Sequence, residues 1–555
     1  MPWNSFPWLI SIVDSSSQAK SSHGTCLYRN VSDAYDSDMN LETIAAPLIV
    51  SGRALTLAEI ESVAAGRRQV LIPADTLTRV ARSRDVIERI LETGQTVYGV
   101  NTGFGKLADV RIPAEHLAQL QANLVRSHAC GLGAPLSESE SRAMLLLRAN
   151  VLAKGHSGVR PELVQLLAEM LNRGVHPVIP AKGSVGASGD LAPLAHLALV
   201  VIGEGEAIFQ GQRQPAALAL TAAGLSPIAL AAKEGLALLN GTQAMTAVGV
   251  LATVYGRRLA KLADLAGAMS LEALMGTPVA FDPRIHLARP HPGQIASAAH
   301  LTAILADSEI RDSHIANDPR VQDAYCLRCM PQVHGAVRGV LDHVTQILET
   351  ESGSATDNPL VFPAEDSSQE SKGAQLAQVV SGGNFHGAPL SYAFDYAAIA
   401  LTDLASISER RIDRLINPDI NEGLPAFLCA DAGLSSGYMI AHVTAAALLN
   451  ECKVLAHPSS TDSVPTSGGK EDHVSMGMTG ALKLRQITAN LELILAIEMM
   501  CAAQGLDYRL PLRPSPAVAQ VHAAIRAVVP HLDEDRIPAP DIEAIAAAMR
   551  EGKLY

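Results

Sequence analysis

The sequence is short of several things, and each shortage removes a class of function. Uninterrupted apolar stretches such as Leu197 to Ile202 fall far below the roughly 20 residues that span a bilayer, so no membrane partner is expected. There is no long basic run, and a net charge of −13 is spread over interspersed acidic and basic residues, which disfavours a phosphate backbone as ligand. No nucleic-acid partner is expected either. The seven cysteines are odd in number and scattered over a long chain, a usage that points to reduced thiols in a cytoplasmic setting. Zinc spacing is missing as well: Cys326 and Cys329 form one C-x-x-C, without the second pair or histidine pair a metal site wants. No metal is expected, and these two cysteines are read as lying on a helical turn.

What is present is a large apolar fraction. At 555 residues and 48% hydrophobic content, the chain can bury an extensive core and is not disordered. Residues 1–38 differ from the rest, holding Trp3, Trp8 and the cluster Ser15-Ser16-Ser17. A signal peptide would need a positive n-region and a longer apolar core than Trp8 to Val13. The segment is expected to be either a poorly ordered extension or the product of an upstream start choice, with Met39 as the natural beginning; the second reading is preferred.

Beyond Met39 the pattern is helical. Thr56-Leu57-Ala58-Glu59 and Ser137-Glu138-Ser139-Glu140 have the spacing of capping boxes at helix starts. Pro161 opens a further helix, with Leu163, Leu166, Leu167, Met170 and Leu171 on one face and Gly174 and Pro177 as stops. The stretches 241–276, 337–350, 390–416 and 476–505 are long and rich in alanine and leucine, which predicts packed helices of a central bundle. Strand patterns are few and short. The fold is therefore expected to be mainly α: a long-helix central bundle over 241–555, ending in short wrapping helices, and a smaller mixed N-terminal region over 39–240. Ala364 to Lys372 is read as a solvated surface loop.

The most informative segment is Gly183-Ser184-Val185-Gly186-Ala187-Ser188-Gly189-Asp190. A Gly/Ser-rich run is most often a flexible loop. It is not a P-loop, since no Lys-Ser or Lys-Thr pair follows the glycines, and Asp190 stands where a nucleophile elbow needs glycine. An Ala-Ser-Gly tripeptide can, however, cyclise its own backbone, because Gly189 has no Cβ to keep its nitrogen from the carbonyl carbon of Ala187. Loss of water from that ring and from Ser188 leaves an electrophile, which the ordinary side chains cannot supply.

The segment resembles the signature of the ammonia-lyases that build 4-methylidene-imidazol-5-one (MIO) from Ala-Ser-Gly, and other stretches resemble the histidine branch of that family. These are Tyr98-Gly99-Val100-Asn101-Thr102-Gly103-Phe104-Gly105, Ser127-His128-Ala129, Asn240-Gly241-Thr242-Gln243 and the run from Val321 to Cys329. Ser354 to Pro359, Gly382 to Gly387 and Glu471 to Gly477 complete the set, in the same order. The resemblance runs from about Met39 to the C-terminus. It implies deamination of L-histidine to trans-urocanate and ammonia, no external cofactor, and a homotetramer whose sites each draw on three subunits.

The chemistry asks for abstraction of a weakly acidic β-proton and departure of a poor leaving group. A ring made from Ala187, Ser188 and Gly189 would be the electrophile, capturing either the substrate amine or its imidazole. Tyr98, beside the glycine-rich segment 99–105, is the expected base. Its ionisation at pH 7 costs about 4 kcal/mol unless a positive charge or helix dipole helps. Arg328 suits the substrate carboxylate through its bidentate fork, and Gln322, Tyr325 and Arg328 would share an arc of about 120° if helical. By resemblance His128 contacts the substrate ring, Asn240 supports the prosthetic ring and amine, Phe385 shields it, and Asp190 helps cyclisation. Glu471 stands where the phenylalanine and tyrosine lyases have glutamine. A carboxylate suits a basic imidazole, whereas a phenyl ring would leave it buried and unpaired. Lys470 departs from the family pattern, and an ion pair with Glu471 is expected to shift its pKa. The alternatives are a tyrosine or phenylalanine lyase or aminomutase, and a catalytically silent helical scaffold.

Overall fold

The computed structural model describes residues 46–316, 318, 320–363 and 379–554. The extension expected over 1–38 and the loop expected over 364–372 lie outside the described residues.

Four long helices form the centre: Gln243–Ala273, Met330–Ser352, Ala388–Ile416 and Gly477–Asp507, packed against one another. Each covers one of the four predicted stretches to within a turn or two. The helix Gly477–Asp507 is apolar and long enough by composition to cross a membrane, but most of its apolar window is buried inside the protein. Core helices of large soluble bundles pass the same test, because they are apolar all round.

Ionic contacts sit inside this apolar bundle. Asp264 accepts hydrogen bonds from Ser297 Oγ, His300 Nδ1, His334 Nδ1 and Arg338 Nη2 at 2.6–2.9 Å. Arg411 and Glu498, both fully buried, form a bidentate pair. Such pairs fix the register of neighbouring helices more than they stabilise them.

Ahead of the bundle lie shorter helices and small sheets. Both predicted capping boxes form, at the starts of Leu57–Ala64 and Glu138–Ala153. The helix Pro161–Arg173 ends at Gly174 in the left-handed conformation, as its stop signals require. Strands are two to four residues long: Leu132–Pro135 pairs antiparallel with Pro180–Lys182, and Glu206–Phe209 pairs with both His176–Pro177 and Gln212–Pro215. The strand Pro180–Lys182 leads directly into the Ala-Ser-Gly segment, and the helix Leu191–Val201 starts directly after it. After the bundle come Pro516–Val528 and Ala539–Arg550, the short helices expected of the proline-rich end.

Candidate active site

Ala187, Ser188 and Gly189 lie in a short irregular link held from three sides. Gly189 forms an isolated parallel bridge with Gly241: Gly241 N donates to Ser188 O at 3.3 Å, and Asp190 N donates to Gly241 O at 2.7 Å. Gly189's own N–H takes no part in that bridge. Its φ is +75°, and a Cβ there would stand 2.1 Å from Gly241 O, so only glycine fits. On the opposite side, Ser475 Oγ donates to Gly186 O at 2.9 Å and Met476 N to Val185 O at 2.8 Å. Gly186 is likewise in the left-handed region, with no room for a side chain against Ser475.

Asp190 is fully buried behind this link. Ser184 Oγ donates to Oδ1 at 2.7 Å and Met245 N, in the first turn of Gln243–Ala273, to Oδ2 at 2.8 Å. Burial pushes its carboxyl up to about 6, against the pull of those donors and of nearby Arg148. Asn240 is held by Nδ2 donating to Asn358 O at 2.7 Å, beside a fully buried ion pair between Lys233 and Asp357.

Over the link stands Glu471. Its Oε1 accepts from Ser188 Oγ at 2.7 Å, while Oε2 accepts from Thr466 Oγ1 at 2.8 Å and Ser467 Oγ at 2.6 Å. Burial alone would raise this carboxyl; the three hydroxyls, with His128 nearby, hold it below its ordinary value. The ion pair expected with Lys470 is not formed. Lys470 is exposed, in the turn that an isolated bridge closes between Thr466 and Glu471.

His128 caps the C-terminal end of Leu117–His128, its Nδ1 2.8 Å from Leu124 O. A carbonyl oxygen only accepts, so Nδ1 is the donor in that contact. Tyr98 is half-buried, on a loop whose Gly105–Leu107 turn packs against the Ser467–Gly469 turn below Glu471. Burial pushes its phenol up and Glu471 adds to that; the Gly105 N–H works the other way. Phe385 lies two residues from Gly387, whose N–H reaches Gly186 O at 3.5 Å.

Gln322, Tyr325 and Arg328 are not brought to this place. Only Tyr325–Arg328 is helical, after an extended Ala324, so the shared face expected for all three does not form. Gln322 precedes the turn and is exposed, because Asp323 ties the backbone to Thr277 N instead. Tyr325 is 71% exposed, and the Arg328 guanidinium stacks 4.6 Å from its ring centroid. The turn is anchored at the C-terminal end of Gln243–Ala273, through Thr277 and through Arg320 donating to Leu274 O. Ser188 and Asp190 lie at the other end of that 31-residue helix, which is about 45 Å long at 1.5 Å per residue.

The aromatic amino acid lyase family model matches residues 55–527. The chain belongs to the aromatic amino acid lyase family. It is an enzyme, a carbon–nitrogen lyase, and not a silent scaffold. It is 56% identical over 508 residues to the histidine ammonia-lyase of Koribacter versatilis, covering 91% of this chain and 98% of that one. The histidine ammonia-lyase of Myxococcus xanthus is 55% identical over 507 residues, with 91% and 97% covered. Among solved structures, histidine ammonia-lyase from Trypanosoma cruzi superposes with a TM-score of 0.83 at 44% identity, covering 92% of this chain and 94% of that one. A tyrosine aminomutase from Streptomyces globisporus gives 0.85 at 39% identity, with 92% and 98% covered.

Several side chains that hold this place together escaped the sequence reading: Thr466 and Ser467, which grip Glu471; Ser184, on Asp190; and, behind them, Arg148, which grips the segment 237–243. Thr466 and Ser467 read as ordinary turn residues before Gly468-Gly469. Arg148 is one of two arginines in the helix Glu138–Ala153, and nothing local marks its partners, which lie about ninety residues away.

Proposed function

We propose that the chain converts L-histidine to trans-urocanate and ammonia, the first step of histidine degradation, with an MIO group made from its own Ala187, Ser188 and Gly189 and no external cofactor. The contact that carries this reading is Ser188 Oγ to Glu471 Oε1 at 2.7 Å: it sets a carboxylate directly over the tripeptide, where an imidazole N–H can use it and a phenyl ring cannot.

The tripeptide fits the group. Gly189 has no room for a Cβ, and its N–H is left out of the bridge that fixes its neighbours, so the nitrogen is free to approach the Ala187 carbonyl carbon. Once formed, the ring supplies the electron sink that ordinary side chains lack. Around it, Glu471 accepts the imidazole N–H and His128 offers Nε2 to the same ring. Asn240 supports the amine and Phe385 shields the pocket. Tyr98 takes the β-proton; its phenol is raised by burial and by Glu471, so a cation brought by substrate or by a second subunit must offset that. Arg328, with Tyr325 and Gln322, takes the substrate carboxylate.

Those last three residues lie a helix length away from Ser188, so the site is completed by other copies of the chain, in a cytoplasmic homotetramer. The exposed apolar side chains Tyr392, Tyr396 and Ile399, at helical spacing on Ala388–Ile416, provide a face for such assembly.

The test is near-ultraviolet absorbance of purified protein with L-histidine, L-tyrosine or L-phenylalanine, beside Ser188→Ala. Urocanate absorbance that grows only with histidine and vanishes in the variant is expected. Cinnamate, coumarate or a β-amino acid product would move the chain to a sister activity, and silence with all three would overturn the reading.

A further inference from the structure

Arg148 is fully buried in the helix Glu138–Ala153. Its guanidinium donates to three neutral acceptors: Ala237 O at 2.9 Å, Asn240 O at 2.8 Å and Gln243 Oε1. Its Nε has no hydrogen-bond partner. Burial lowers its pKa to about 10, with Asp357 and Asp190 pulling the other way from a distance. A buried cation without a contact carboxylate costs more than an apolar side chain of the same size, so packing does not account for it.

What it touches does. Asn240 O, which Arg148 holds, belongs to the same peptide unit as the Gly241 N–H, and that N–H points at Ser188 O at 3.3 Å. Ser188 C=O in turn shares a peptide unit with the Gly189 nitrogen. Hydrogen bonds in such a chain polarise one another. The path from the guanidinium to the reacting backbone therefore contains one peptide unit and no solvent-exposed atom of Arg148.

We propose that Arg148 is the positioning residue of self-processing: through the Asn240–Gly241 peptide it fixes and polarises the Ser188 carbonyl while the tripeptide closes and dehydrates. The inference deepens the reading above and rests on it. In closure, the Gly189 nitrogen bonds to the Ala187 carbonyl carbon. The Ala187 oxygen then leaves as water with the Gly189 and Ser188 amide protons, and a C=N bond forms to the Ser188 nitrogen. In the second dehydration Ser188 loses its Cα proton and its hydroxyl, and a Cα=Cβ bond forms. Removing the Cα proton places negative charge on Ser188 O, where the Gly241 N–H, strengthened by Arg148, stabilises it.

Intact-protein mass tests this, because it reads processing without reading turnover. Wild type, Arg148→Lys and Arg148→Gln are purified, checked by circular dichroism and thermal melting, and followed by mass spectrometry after pulsed synthesis. Wild type is expected to lose two waters per chain. Processing should slow about tenfold in Arg148→Lys and about 100-fold in Arg148→Gln. Wild-type processing rates in both variants would overturn the role, as would full processing with reduced turnover per processed chain. If Arg148→Gln does not fold, the rate in Arg148→Lys decides alone. A wild type that never loses two waters would instead sink the ring itself.

Discussion

Ser188 Oγ donates to Glu471 Oε1 at 2.7 Å, so the hydroxyl that the proposed dehydration removes is held by the carboxylate that remains. Thr466 and Ser467 grip the other oxygen, Oε2. Departure of the Ser188 hydroxyl therefore frees one oxygen of Glu471, already oriented, for a substrate donor. Glu471→Gln should leave the two-water mass deficit intact and lower kcat/KM for L-histidine about 10- to 100-fold, the loss of one charge-assisted hydrogen bond. Intact mass and steady-state kinetics on the same preparation check both halves. An unprocessed variant would place Glu471 in ring formation instead.

The pH dependence follows from the opposite displacements of Glu471 and Tyr98. Despite burial, hydroxyl donors and His128 keep the Glu471 carboxyl below its ordinary value, whereas burial and Glu471 itself push the Tyr98 phenol up. On the proposed roles the active form needs Glu471 ionised and Tyr98 able to accept a proton, so kcat/KM should rise with pH across the neutral and mildly alkaline range. Removing the like charge in Glu471→Gln should move that rise to lower pH. A profile in which the variant's rise is unshifted would show that the carboxylate does not act on Tyr98. Tyr98→Phe should cost about 10³-fold in kcat, with processing unchanged.

Much of this was legible in the sequence, and the limits have physical causes. The long helices announced themselves because alanine and leucine periodicity is a local property, whereas Ala187-Ser188-Gly189, whose composition alone reads as a flexible loop, stood out only through its resemblance and the order of the motifs around it. The partners of Asp190 and Glu471 were not legible: a serine hydroxyl looks the same in any turn. The expected face of Gln322, Tyr325 and Arg328 failed because Asp323 spends its carboxylate on Thr277 N, outside any helix. The pairing of Lys470 with Glu471 that the sequence left open is not made: both oxygens of Glu471 accept from hydroxyls instead.

Asp190 gives a stability prediction with a definite sign. Burial, opposed by Met245 N–H, Ser184 and Arg148, raises its carboxyl from 3.8 to about 6. A group raised on folding favours the folded state while protonated and loses that advantage as pH climbs through the raised value. Ionising it costs roughly 3 kcal/mol for a displacement of about two units. Asp190→Asn has no charge to bury, so its stability relative to wild type should improve by up to that amount between pH 4 and pH 7. Denaturant melts of both proteins at the two pH values measure it. Parallel pH dependences would mean that the Asp190 carboxyl titrates in the folded protein where it does in the unfolded chain, its burial fully offset by Arg148 and the two donors.

The separation of Ser188 from Arg328 along one helix gives the sharpest test of assembly. Within a chain they sit at opposite ends of Gln243–Ala273, a helix about 45 Å long at 1.5 Å per residue, so on the proposed roles a single copy would not hold a substrate carboxylate and present it to its own tripeptide. Ser188→Ala supplies an intact Arg328 but no electrophile, and Arg328→Ala supplies the electrophile but no clamp. Each alone should be inactive or nearly so. Co-expressed in one cell, they should form mixed oligomers in which some sites combine the intact halves, and histidine-dependent urocanate formation should return. If co-expression restores nothing while both variants fold and assemble normally, the site is contained in one chain and the turn at Tyr325–Arg328 serves some other purpose.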